Sequence, residues 1–108
     1  MNSTQQDDRR RWWSGTSAHG WRLYFRLRNE MPEEIERAKE PQKRFYKVCD
    51  SIYRDMLADD CDVLRAYYAL RRTADQVAHD YGIPEVIVYR IIRDAEKRVA
   101  VELGLITD

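Results

Sequence analysis

The chain has little of what small cross-linked, metal-bound or membrane-spanning proteins depend on. Its 108 residues include two cysteines (Cys49 and Cys61), two histidines, three prolines and four glycines, and no excess of either charge, with 19 basic side chains against 19 acidic ones. Two cysteines remote from both histidines do not make a structural zinc site, which needs four such ligands at close spacing. No metal and no cofactor is expected. The cysteines can pair, but in a chain with no signal peptide they are expected to stay reduced in a cytosol. No apolar run approaches the ~20 residues that cross a bilayer, which excludes a membrane-spanning helix and sets the expected location in the cytoplasm. Zero net charge argues against a non-specific polyanion binder.

The charge is unevenly distributed. Residues 1–30 carry six arginines (Arg9, Arg10, Arg11, Arg22, Arg26, Arg28) against Asp7, Asp8 and Glu30, whereas residues 60–108 carry a small acidic excess. Residues 1–11 are polar and aperiodic, so they are expected to lack order, and Ser14–Gly20 reads as a polar loop between tryptophans. Residues 1–20 are therefore read as a flexible basic and aromatic segment, and residues 21–108 as one helical domain. In the segment Trp21–Arg28 both an alternating and a helical period fit; no strand partner is evident, which favours helix. Pro32 opens a short acidic-to-basic helix that Pro41 stops. Phe45, Val48, Cys49, Ile52, Tyr53 and Met56 recur at three- and four-residue steps, predicting an amphipathic helix from Gln42 to about Ala58. A break is expected at Asp59-Asp60, with Asp60 capping a helix from Cys61 to Leu70. The fold class is all-α.

The most informative stretch is Leu64–Val99. A short helix from about Thr73 to Asp80, the turn Tyr81-Gly82-Ile83-Pro84 and a longer helix opening at Pro84 have the spacing of a helix-turn-helix, placed at residues 61–103. Thr73 and Gln76 match a capping box. Val88, Ile91, Ile92, Ala95 and Val99 form a core stripe on the last helix, and Val86, Tyr89, Arg90, Arg93 and Lys97 form a second, displaced face. In a helix-turn-helix the start of the second helix reaches base edges and later basic residues reach phosphates. Glu85, Val86, Tyr89 and Arg90 are thus the candidates for base contact. Arg93 and Lys97 are candidates for the backbone, joined by Arg72 and Thr73. The competing reading is a solvated face on which Arg90, Arg93 and Lys97 pair partly with Asp94 and Glu96. A third is a surface for a protein, since Val86 and Ile87 are apolar for a base-reading start.

Leu64, Tyr67-Tyr68, Gly82, Tyr89 and Ala95-Glu96 give this stretch a resemblance to the C-terminal half of the phage late-gene antiterminator Q proteins of the smaller lambdoid type. It is also similar to the domain of bacterial sigma factors that reads the −35 promoter element. The resemblance covers roughly residues 42–103. Pro84 stands where members often carry Ser or Thr, so the usual side-chain cap is not expected. Late transcription activators of phages from Gram-positive hosts share the same C-terminal pattern. The resemblance implies a factor that binds a DNA element beside a late promoter, loads onto paused RNA polymerase and permits terminator readthrough in a bacterial host. Its partners would be double-stranded DNA and bacterial RNA polymerase. A sigma factor, nascent RNA and a second copy on DNA are further candidates.

The remaining basic cluster, Arg9, Arg10 and Arg11 beside Trp12-Trp13, has the composition of a nucleic-acid or polymerase contact, with stacking on single strands among its uses. Trp21 and Phe25 are expected in the core, because so small a domain has little else to bury. His19 and His79 sit in no nucleophile or metal motif, and Glu33-Glu34 and Asp59-Asp60 lie at helix ends, so no enzyme is expected. The function classes left are an antitermination factor, a helix-turn-helix activator or repressor acting at initiation, and a small protein-binding adaptor or inhibitor of transcription.

Overall fold

Six helices make up a computed structural model that describes residues 3–106 and, from residue 15 onward, their side chains. They are α1 (Ser3–Glu30), α2 (Glu33–Arg37), α3 (Gln42–Asp55), α4 (Ala58–Tyr68), α5 (Ala74–Tyr81) and α6 (Glu85–Glu102). The all-α expectation is borne out: no strand occurs among the described residues. The side chains of Arg9, Arg10, Arg11, Trp12 and Trp13 lie outside the described residues. None of the helices is long and apolar enough to cross a membrane, among the described residues.

The C-terminal half of α1 organises the core. Ser17, Gly20, Trp21, Tyr24 and Phe25 are buried at helical spacing, a stripe that runs straight through the expected loop at Ser14–Gly20 and the expected boundary after residue 20. That loop reading is corrected: the polar composition is real, but its small members face inward and let the helix approach its neighbours. A methyl group at Gly20 would overlap the ring of Phe45 on α3. Tertiary packing outweighs the weak helix propensity of Ser and Gly here. Once that packed half is formed, extending it back to Ser3 adds one bond per residue, and Gln5, Gln6 and Arg9–Arg11 are good helix formers.

Four contacts tie α1 down. The Trp21 indole N–H donates to the Ala95 carbonyl of α6 at 3.3 Å. The Tyr24 hydroxyl donates to Asp50 of α3 at 2.5 Å. Phe25 meets Tyr53 edge-on at 5.2 Å between ring centres, and the Arg28 guanidinium lies 4.5 Å from the centre of the same Tyr53 ring. Edge-on aromatic pairs of this kind add about 0.5–1.5 kcal/mol beyond the area they bury.

The helix break expected at Asp59-Asp60 comes earlier. Met56 and Leu57 are extended, and α4 opens at Ala58 without a side-chain cap, so the predicted Asp60 cap is not made. Asp59 and Asp60 instead occupy the first turn of α4, where exposed N–H groups favour negative charge. Val63, Leu64, Ala66 and Tyr68 then close the core against α6. Both cysteines are free thiols.

Candidate nucleic-acid interface

The C-terminal unit is set by its caps. Thr73 Oγ1 accepts from the Gln76 backbone N–H at 3.1 Å while Gln76 Oε1 accepts from the Thr73 N–H at 3.0 Å, the full capping box anticipated from the sequence. At the other end of α5, Gly82 takes φ 64° and ψ 37°, a left-handed conformation that costs a residue bearing Cβ about 1–2 kcal/mol. The chain turns there, Ile83 N–H returns to the Ala78 carbonyl at 3.1 Å, and Pro84 stands extended just before α6. Pro84 contributes no side-chain cap, but its carbonyl accepts from Ile87 and Val88 at 3.0 and 3.3 Å.

Burial separates the faces of α6. Val88, Ile92, Ala95, Glu96, Val99 and Ala100 are buried. Ile91, expected within the core stripe, is only half-buried and lies at its edge, so the stripe is rotated towards Ala100. All six candidate residues of α6 are exposed, among them Val86 (70%) and Tyr89 (44%), with Glu85, Arg90, Arg93 and Lys97. The expectation of Glu96 as a surface charge is corrected as well. Glu96 is 7% exposed and accepts from the Tyr68 hydroxyl at 2.8 Å. Burial, reinforced by the Glu96 charge, holds the Tyr68 phenol far above its ordinary ionisation range. Among the described residues, neither Arg90 nor Arg93 has a carboxylate partner.

Five of the eight candidates line two hollows on either side of the exposed crest of α6. Arg72, Thr73 and Tyr89 line one cleft of about 560 Å³, together with Arg22, Tyr67 and Arg71. Arg90 and Lys97 line a different groove of about 780 Å³, between α6 and the α3–α4 corner, where Ile87, Ile91 and Leu57 are also found. Arg72 is engaged in an ion pair with Asp80 across α5. Glu85, Val86 and Arg93 are exposed and line neither.

Arg22, Tyr67 and Arg71 carry no functional mark in the sequence. Nothing local marks Arg22: it follows Trp21 on α1, 45 residues before Tyr67, the next residue of the cleft. Arg71 carries one visible trait, φ 55°, the left-handed region again but in a residue with a long side chain. No protein-family model, curated protein or solved structure matches the chain, so the site's chemistry rests on these residues alone.

Proposed function

We propose that the protein is a sequence-specific DNA-binding regulator of transcription, with α5 and α6 as a helix-turn-helix and α6 as the element that enters the major groove. One observation carries this reading. The outer face at the start of α6 presents Val86, Tyr89, Arg90 and Arg93 to solvent, while its inner face is locked in the core directly after a left-handed glycine turn. Base reading needs side chains held this way: projecting, yet on a helix that cannot rotate. Arg90 has the donors to grip a guanine, Val86 the surface for a thymine methyl, and Glu85 the acceptor for a cytosine amino group.

The particular form supported by the resemblance of Leu64–Val99 is a phage antitermination factor that engages RNA polymerase near a late promoter. Enrichment of binding sites from random duplex DNA, followed by single-round transcription across a terminator downstream of the enriched site, tests both levels. Readthrough that requires the site is the expected result. Altered initiation with unchanged readthrough would replace antitermination by control at the promoter, and no enriched sequence would remove the DNA reading.

A specific feature favours a second reading, a protein-binding adaptor. Leu57 is 75% exposed at the rim of the groove lined by Ile87 and Ile91, an apolar strip next to the same α6 crest. The two readings compete for Arg90 and Lys97, which line this groove as well as standing on the exposed face of α6.

A further inference from the structure

The cleft beside Tyr89 gathers cations from two places in the chain. Arg22 comes from α1, Arg71 and Arg72 from the α4–α5 corner, and Tyr67 and Tyr89 supply two phenols. A neighbouring concavity shares Arg22 and Arg71 and adds His19 and Arg26. Arg22 and Arg71 therefore stand on the ridge between the two hollows. Compensation is uneven along this surface: Arg26 pairs with Glu30 at 3.6 Å and Arg72 with Asp80. Among the described residues, Arg22 and Arg71 have no carboxylate partner.

The Arg22 side chain and the backbone at Arg71 are held in place. The Arg22 guanidinium lies 5.8 Å from the centre of the Tyr68 ring, and that ring is fixed by its buried hydrogen bond to Glu96. Arg71 sits at φ 55°, where glycine would fit with less strain. Its backbone is clamped on both sides, by Leu70 N–H to the Arg65 carbonyl at 3.2 Å and Arg72 N–H to the Ala66 carbonyl at 3.1 Å. Local stability does not call for an arginine at this position. Guanidinium forks and phenol hydroxyls in one open hollow match the oxygens of phosphodiesters, which accept from both.

We propose that Arg22 and Arg71, with Arg72 and Tyr89, form a clamp for backbone phosphates of the DNA strand bordering the groove that α6 enters, so that α1 takes part in DNA binding. The clamp rests on the DNA reading of α6, because Tyr89 belongs to both surfaces. Phosphate contacts position a duplex without reading it, so loss of the clamp weakens specific and scrambled DNA alike.

The test uses the full chain, a duplex enriched with the wild-type protein and its scrambled counterpart, with affinity measured by fluorescence anisotropy across a salt series. R22Q and R71G are each expected to lower affinity for both duplexes by a similar factor and to make the logarithmic salt slope shallower by about one. R71G is expected to keep or raise the melting temperature, which separates lost contact from lost fold. An unchanged salt slope in the R22Q/R71G double variant, with wild-type binding still dependent on Arg90, overturns the clamp and leaves the DNA reading standing. Slopes that change for single-stranded RNA but not for duplex DNA also overturn it. A wild-type protein that enriches no sequence and gives no salt-sensitive binding removes the α6 reading and the clamp together.

Discussion

Tyr68→Phe is the most informative single change, because Tyr68 links the core to the proposed binding surface. Its hydroxyl donates to buried Glu96 at 2.8 Å, and its ring lies under Arg22. Removing the hydroxyl strips one donor from a buried carboxylate, and a hydrogen bond to a charged group is worth about 1.5–3 kcal/mol. For a domain near 100 residues, a loss of about 2 kcal/mol lowers Tm by roughly 8–16 °C. Urea unfolding should give a lower midpoint at an unchanged m-value. The pH dependence adds a second readout. The folded phenol resists ionisation because of burial first and the Glu96 charge second, whereas the unfolded phenol ionises near pH ~10. Tyr68's contribution is thus complete below pH ~10 and is lost as pH rises towards the folded value, by up to about 1.4 kcal/mol per pH unit. Tyr24 and Cys49, raised by burial, act in the same direction, the thiol from pH ~8.5 upward. Tyr68→Phe should therefore be less stable than wild type at neutral pH and have a shallower alkaline decline. Stability within about 0.5 kcal/mol of wild type, a surface-like effect, would refute the reasoning that Glu96 depends on this donor.

The glycines of α1 separate packing from propensity: Gly15→Ala, where added Cβ meets open space, should raise stability by about 0.5–1 kcal/mol, while Gly20→Ala should lower it by about 1–2 kcal/mol as the Phe45 ring is displaced. Both are read by thermal unfolding. Ile92→Ala should cost about 2–5 kcal/mol, and Ile91→Ala distinctly less, since Ile92 is buried and Ile91 half-exposed; equal losses would mean that α6 faces the core differently. A thiol reagent at pH 8 should modify Cys61 slowly and Cys49 only on unfolding, because burial raises both thiols and leaves Cys49 inaccessible. Mass spectrometry of the native, alkylated protein checks the order. Arg90→Ala should preserve Tm and weaken specific DNA binding by about 1–3 kcal/mol, and an unaltered site preference would take Arg90 off the reading face.

The parts legible in the sequence are those governed by local rules. Thr73-Gln76 forms the anticipated capping box, Gly82 is left-handed, and Val88, Ile92, Ala95 and Val99 face inward. The parts that were not legible depend on what is packed against them. Ser14–Gly20 reads as a loop because Ser and Gly are poor helix formers, yet Ser17 and Gly20 are small precisely where α1 meets its neighbours. Glu96 reads as a surface charge until Tyr68, 28 residues away, supplies its partner. Asp60 has the chemistry of a cap, but Leu57 turns the chain first and leaves Asp60 to the helix dipole. Arg22 is the extreme case, since only the fold carries it to Tyr89.

That placement bears on the objection raised by the charge count. A helix-turn-helix with an acidic excess over residues 60–108 is a poor collector of phosphates by itself, and the chain has no net charge to draw on. The net positive charge of this protein resides in residues 1–30, which looks like a separate basic segment when the sequence is read from end to end. Trp21 fixes α1 to the middle of α6 through the Ala95 carbonyl, and the next residue, Arg22, is thereby set in the cleft with Arg71, Arg72 and Tyr89. The proposed interface is then composite, with α6 providing the face that reads bases and α1 lending the charge that the C-terminal unit lacks. Neither segment would bind DNA well alone. On this argument the aromatic packing of Trp21 matters for affinity as well as for folding, because it sets the distance between the charge and the reading helix.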